Sequence, residues 1–134
     1  MENNNTVALF GEAEKGQFRI PYYCQTLPQL VDNLGNPPPD SFGLHFAVQT
    51  LLYNYNLLFI RVQEEGYNLQ DYLSGLYVLE NQKLIYSIAA LCLPGVGDSD
   101  LLDAVTPFCR AHHSILIIRE PDLYDYLTYS GKCN

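Results

Sequence analysis

Apolar residues are arranged along this chain in two alternating patterns, short continuous runs and longer stretches in which they recur at helical spacing. The runs are four to six residues long: Val7–Phe10, Leu57–Val62, Ile88–Leu93 and Ser114–Arg119. A short and nearly continuous apolar run bounded by turn residues is typical of a strand covered on both faces. The sequence therefore predicts four buried strands, the third of them within residues 85–93.

The stretch after the first run has the local signals of a complete helix. Thr26 can cap its start, with Gln29 as the capping-box partner. Pro28 is tolerated in the first turn, and Gly35 is placed to end the helix. Residues 36–39, Asn-Pro-Pro-Pro, cannot be helical and predict a stiff spacer.

Three further helices are predicted between the remaining runs. Their candidate starts are Asp40 or Ser41 for the second helix, Asn68 with Asp71 for the third, and Asp98, Ser99 or Asp100 for the fourth, in which Pro107 should kink or shorten the helix. The order is then β-α-α-β-α-β-α-β. Alternation of strands with helices predicts an α/β fold, in which one three-layer domain over residues 1–134 holds a mostly parallel four-stranded sheet between helices. Residues 1–6 would form a short arm and residues 122–134 a tail.

Composition and charge exclude several classes of function. Of the 134 residues, 48% are hydrophobic and 16% charged, with a formal net charge of -8. A chain this acidic is poorly suited to nucleic acid or to anionic membranes, and we expect neither as a partner. There is no apolar run of about 18 residues and no basic and apolar leader at the start, so we expect a cytoplasmic protein with reduced thiols. The four cysteines form no C-x-x-C pair, which argues against zinc, and Cys92 and Cys109 read as small buried hydrophobic residues.

Charged residues gather at the predicted carboxyl ends of the strands, where open α/β sheets bind ligands. They are Glu12, Glu14, Lys15, Arg61, Glu64, Glu65, Asp98, Asp100, Asp103, Arg119, Glu120 and Asp122. Such a rim could bind Mg²⁺, with Asp98 and Asp100 as the candidate ligands. The favoured interpretation is structural, because acids at a helix start are stabilised by the helix dipole in any case. We therefore predict no cofactor and no metal.

Two other patterns are weak candidates for catalysis. The loop Gly11–Gly16 has the order of neither a dinucleotide fingerprint nor a phosphate loop, and it is acidic. Cys109 with His112 and His113 could suggest Cys/His catalysis, but the histidines end a helix, where they are favourable against its dipole, and no third group orients them. We predict that the protein is not an enzyme.

Tyrosine is the most informative residue type. Eleven tyrosines occur, many of them on helix flanks and in the tail. Tyrosine is enriched where proteins contact proteins, although it also fills half-buried positions of small domains. The candidate assembly residues lie in the tail: Tyr124, Tyr126, Leu127 and Tyr129.

Several short motifs, taken in order, resemble one known family. They are Val7–Gly16 (VALFGEAEKG), Ile20-Pro21 leading to Thr26–Leu30, the helix Leu44–Asn54, Phe59–Val62, Asp71–Leu76, Leu93–Gly95, and Phe108–Arg110 followed by Ile115–Pro121. In this order they resemble the core domain of contractile-tail sheath proteins, which surround the tube of contractile phages and related particles. The similarity covers residues 7–122. Sheath subunits generally have long terminal arms and a further domain, whereas here six residues precede the first predicted strand and residues 122–134 follow Pro121. We therefore expect any arms that interlock subunits to be minimal, within residues 123–129.

The resemblance implies a non-enzymatic structural subunit that self-assembles into a helical or ring-like polymer. Its partners would be copies of itself and a tail-tube-like protein, in the cytoplasm or in a phage-like particle. Two alternatives stay open: a small α/β enzyme or Mg²⁺-binding domain that uses the acidic rim, and an adaptor that binds one protein through its tail.

Overall fold

A computed structural model of the protein describes residues 6–81 and 88–132, the last four by their backbone alone. The strands are β1 (Thr6–Gly11), β2 (Tyr22–Cys24), β3 (Asn56–Arg61), β4 (Ile88–Cys92) and β5 (Ile115–Ile117). The helices are α1 (Leu27–Leu34), α2 (Gly43–Leu52), α3 (Leu69–Asn81), α4 (Ser99–His112) and α5 (Glu120–Lys132). Residues 85–87 of the predicted third strand and residues 1–5 of the predicted arm lie outside the described residues.

The strands form a single mixed sheet in the order β2-β3-β1-β4-β5. β1, β3, β4 and β5 are parallel, and β2 pairs antiparallel with β3 at one edge. Leu9 of the central strand lies between Phe59 on one side and Cys92 on the other. The predicted α/β fold with a mostly parallel sheet is confirmed; the sheet has five strands among the described residues where the sequence predicted four.

The helices cover both faces of the sheet and create two cores. Val7 and Leu9 of β1 point to the core under α1, α2 and α5. Ala8 and Phe10 point to the opposite core, under α3 and α4. All four side chains are fully buried, which is why the run shows no polar alternation. In the part of the chain that the structure describes, no helix is both long and apolar enough to cross a membrane.

Two elements depart from the sequence-based prediction. β2 is three residues long, and its Tyr22 and Tyr23 are half-buried, so it lacks the continuous apolar run that marks the other strands. The predicted tail is instead the helix α5, in which Leu123 and Leu127 lie four residues apart and face the core. One turn of a helix separates them, so this pair anchors the segment on the sheet.

The helix starts agree with the sequence in three cases and disagree in one. The capping box of α1 is formed, since Thr26 accepts from the Gln29 N–H at 3.3 Å and Gln29 accepts from the Thr26 N–H at 3.2 Å. The Asn68 side chain accepts a hydrogen bond from a backbone N–H at the start of α3, and the Asp98 side chain does the same at the start of α4. Helix α4 continues for five residues beyond Pro107. The predicted cap of α2 by Asp40 or Ser41 is wrong, because its N-cap residue is Phe42 and no local side chain caps it.

Candidate functional site

A cavity of about 710 Å³ lies at the carboxyl edge of the parallel strands. It is lined by Glu12 after β1, by residues 63–65 with Tyr67 and Asn68 after β3, by Gly95 after β4, and by Pro39, Asp40 and Phe42 before α2. The chain leaves β1 toward one face of the sheet and the neighbouring β4 toward the other. When the connections after two neighbouring strands run to opposite faces of the sheet, a crevice opens between them. Doubly wound sheets bind ligands in this crevice.

The Glu65 carboxylate fills the inner wall of this crevice. Its Oε1 accepts from the Phe42 N–H at 2.8 Å, and its Oε2 accepts from the N–H groups of Gly43 and Glu12, both at 2.8 Å. The residue is 9% exposed. Glu65 therefore supplies the cap that α2 lacks locally, and it places a carboxylate where the dipole of a helix start attracts anions.

A close approach of two glycines makes this arrangement possible. A Cβ atom on Gly11 would lie 2.7 Å from the Gly43 Cα, and a Cβ atom on Gly43 would lie 2.8 Å from the Glu65 Oε2. Neither distance is compatible with a side chain. The absence of side chains at the end of β1 and at the start of α2 thus brings three backbone N–H groups around one carboxylate.

The loop between β3 and α3 is fixed by side chains that accept from its backbone. Glu12 accepts from the Glu65 N–H at 2.9 Å, so the two glutamates cap each other's main chain. Asp71 accepts from the Gln63 N–H at 2.7 Å, and the Tyr72 hydroxyl accepts from the Gly66 N–H at 2.8 Å. Burial raises the pKa of Tyr72 to about 12, with smaller effects from the nearby carboxylates. This hydroxyl is consequently neutral in the folded protein at neutral pH.

The surface of the crevice is acidic. Its lining includes the carboxylates of Glu12, Asp40, Glu64 and Glu65, and no described lining residue is basic. The N–H groups that could hold a phosphate at the start of α2 already bond to Glu65. A nucleotide or other anion would therefore meet negative charge at this helix start, and two of its N–H groups, those of Phe42 and Gly43, are already bonded.

Other sequence candidates are used for local structure. Asp98 caps α4 by accepting from the Asp100 N–H at 2.8 Å, as the structural interpretation of these acids predicted. In the loop Gly11–Gly16, the N–H groups of Glu14 and Lys15 both donate to the Leu34 carbonyl, so they do not face a ligand.

The Cys/His candidate lies at the end of α4 and lacks the features of an activated pair. Burial raises the pKa of the Cys109 thiol, which disfavours the thiolate that a nucleophile needs. His112 stacks on Phe108 at 4.3 Å, and His113 ends α4 with a positive φ of 55°. Among the described residues, no three His, Cys, Asp or Glu side chains lie together as a metal site.

The predicted assembly residues have different environments. Tyr124 is 51% exposed and meets Tyr53 edge-on at 6.2 Å. Tyr126 is half-buried against Tyr55, and Leu127 is 1% exposed in the core, so Leu127 is not available to a neighbouring subunit in this structure. The side chain of Tyr129 lies outside the described part of the chain.

Among the shallow apolar cavities of the described chain, two lie on opposite faces of the domain. The α2/α5 cavity, about 510 Å³, is lined by Gln49, Leu52, Tyr53, Glu120, Pro121 and Tyr124. The α3 cavity, about 330 Å³, is lined by Arg19, Gln70, Leu73, Ser74, Tyr77 and Val78. Leu52 is 61% exposed and Tyr77 is 68% exposed. Large apolar side chains that cluster on a surface mark sites of interaction more often than single exposed ones do.

Sequence reasoning placed Glu65 on the strand-end rim but missed its role. The available signal was a pair of glutamates, Glu64 and Glu65, in the turn that follows a buried strand. Only Glu65 is buried, and its partners are 22, 23 and 53 residues away in the chain.

Comparisons of this chain with models of protein families, with curated proteins and with solved structures give no match.

Proposed function

We propose that the protein is a non-enzymatic structural subunit that associates with copies of itself into a helical or ring-like assembly. The observation that carries this proposal is the pair of exposed apolar cavities on opposite faces, each with tyrosine side chains at its surface. Tyrosine offers a large contact area at a low cost in conformational entropy. Unlike surfaces on one subunit allow contacts to propagate from copy to copy.

The carboxyl-edge crevice supports the same proposal indirectly. Its strongest anion-binding feature, the start of α2, is occupied by the protein's own Glu65 carboxylate. Glu12 and Glu65 each accept from the other's backbone N–H, and these two bonds fix the loop after β3. Two N–H groups that could otherwise bind a phosphate, those of Phe42 and Gly43, are thus engaged in holding the fold.

The ordered motifs that resemble contractile-tail sheath proteins extend the proposal to a class of assembly. The assembly would be sheath-like, formed of copies of this chain and arranged around a tail-tube-like protein. On the basis of the same resemblance, we propose that the protein is located in a phage-like particle.

Light scattering after size exclusion, with negative-stain microscopy of the same fractions, tests self-association. We expect species much larger than the 15.2 kDa chain, with a size that grows with protein concentration. Replacing Tyr53 and Tyr124 together by serine should shift the distribution to monomer. Tyr67→Ser is the control, because Tyr67 is more exposed than Tyr53 or Tyr124 but lines the crevice instead. A wild-type protein that stays monomeric at every concentration would refute the proposal.

The competing hypothesis is a Mg²⁺-dependent activity at the acidic crevice. It is favoured only by the volume and the carboxylates of that cavity. A specific Mg²⁺ site would raise the melting temperature by mass action, and Glu64→Gln should remove that rise while leaving the buried Glu65 in place. A saturable rise lost in this variant would favour the enzyme class over the structural one.

A further inference from the structure

We infer that the two cavities are the two halves of one contact, in which the α3 cavity of one copy docks on the α2/α5 cavity of the next. This inference rests on the proposed function and adds which surfaces meet. The interface is heterologous, so each copy uses one surface to bind the copy ahead and the other surface to bind the copy behind.

Shape is the first argument. On the α3 side, Tyr77 at the wall of the shallow cavity is 68% exposed, the largest exposed fraction among the large hydrophobic residues described. On the opposite side, Leu52, Pro121 and Tyr124 line an open depression between two helices. A projecting tyrosine that enters an apolar depression is the usual form of an interface anchor, since it buries a large ring and keeps its hydroxyl at the rim.

Charge is the second argument. Arg19 is the only charged residue among those that line the α3 cavity, and Glu120 is the only one among those that line the α2/α5 cavity. Both are exposed, and Glu120 is oriented by a hydrogen bond from the Gln49 side-chain amide. In a chain with a net charge of -8, two copies repel each other in most orientations. When Arg19 of one copy faces Glu120 of the next, the opposite charges attract each other. This attraction favours contact between the two unlike surfaces over other orientations.

Position is the third argument. α2 and α5 pack on one core and α3 on the core across the sheet, so the cavities face away from each other. A subunit with complementary surfaces on opposite faces cannot satisfy both within a dimer. The contacts then continue into an open chain, or into a ring if the rotation closes. Like surfaces meeting about a two-fold axis would bring together two linings with the same single charge, Glu120 in one case and Arg19 in the other, with no opposite charge among them.

The test uses two variants of the full chain, each with one surface disabled. Tyr77→Asp disables the α3 surface, and Tyr124→Asp disables the α2/α5 surface; both side chains are exposed, so neither change disturbs a core. We expect each variant alone to be monomeric at concentrations where the wild-type protein assembles. An equimolar mixture should form a heterodimer that does not grow further, because it retains one intact contact and no second. Formation of the heterodimer also demonstrates that both variants are folded.

Each other outcome overturns the inference in a distinguishable way. If Tyr77→Asp alone still forms a homodimer, the α2/α5 surface pairs with itself, and the proposed function survives without this pairing. If both variants assemble as the wild-type protein does, neither cavity is the interface. If the wild-type protein is monomeric, the proposed function itself fails.

Charge reversal provides a second measurement on the same contact. Arg19→Glu and Glu120→Arg should each raise the apparent dissociation constant by about tenfold or more, and the double reversal should recover most of that loss. Recovery is the decisive result, since a merely structural effect of either substitution would not be corrected by the other. Additive losses in the double variant would overturn the pairing.

Discussion

At the scale of single residues, Glu65 is the side chain on which the crevice depends. Glu65→Ala would leave the N–H groups of Glu12, Phe42 and Gly43 without their shared acceptor, and the bond from Gly43 is buried. We expect a loss of about 2–4 kcal/mol in the free energy of unfolding, because buried donors without partners are costly and a charged acceptor is lost. Urea titration followed by circular dichroism measures this change.

The adjacent glutamate provides the control for that experiment. Glu64 is exposed and has the same chemistry, so Glu64→Ala should change the free energy of unfolding by less than about 0.5 kcal/mol. Glu65→Gln should lie between the two, since its amide retains one oxygen for donors that a carboxylate serves with two. Equal midpoints for the two alanine variants would contradict the structural role of Glu65.

Tyr72 predicts how stability depends on alkaline pH. Its hydroxyl has a pKa of about 12 in the folded protein, raised chiefly by burial, against about 10 for tyrosine in an unfolded chain. The folded state therefore keeps a proton that the unfolded state releases between these values. The contribution to stability is complete below pH 10 and is lost as the pH rises toward 12, with a slope of up to about 1.4 kcal/mol per pH unit.

Comparison with Tyr72→Phe isolates this effect from the other groups that titrate at high pH. The variant loses the acceptor for the Gly66 N–H and should be less stable by about 1 kcal/mol at pH 8. Between pH 10 and 11.5 the difference between the two proteins should shrink, since phenylalanine has no proton to lose. Parallel stability curves over this range would show that Tyr72 does not titrate differently in the folded protein.

At the scale of elements, the sequence predicted what depends on local pattern. β1, β3 and β4 were found because a strand buried on both faces must be apolar at nearly every position, as Val7–Phe10 are. The apolar run of β5 was found by the same pattern, although Ile115 at this sheet edge is 52% exposed. The cap of α1 was found because donor and acceptor are three residues apart. The assignment of Asp98 as a cap had the same basis.

The elements that were missed depend on distant contacts. β2 exists because it pairs with the edge of β3, and its three residues carry no pattern of their own. The buried face of α5 includes Leu123 and Leu127, which stand in the sequence among polar and tyrosine residues. This local sequence does not indicate a buried helix unless the core that contacts the two leucines is known. The cap of α2 comes from Glu65, more than twenty residues later, so no local rule could identify it. The sequence therefore predicted that charged residues lie at the strand-end rim, but not that Glu65 binds the backbone at the start of α2.

At the scale of the whole molecule, net charge opposes any association between copies. Each chain carries a formal charge of -8, and at low ionic strength this repulsion extends over about 30 Å. Contacts within an interface act over only a few ångströms and are screened less by salt. The repulsion and the proposed attraction between Arg19 and Glu120 therefore respond differently to ionic strength.

We expect self-association to become stronger as NaCl is raised from about 10 mM to 150 mM, where the screening length falls to about 8 Å. Sedimentation velocity at fixed protein concentration measures the effect, which should be a several-fold fall in the apparent dissociation constant. Asp32→Lys with Asp103→Lys changes two exposed acids that line neither cavity, and it reduces the net charge from -8 to -4, since each substitution adds two charges. This variant should associate more strongly at low salt and depend less on NaCl. Weaker association of the wild-type protein at higher salt would instead indicate that opposite charges across the interface outweigh the net repulsion between copies.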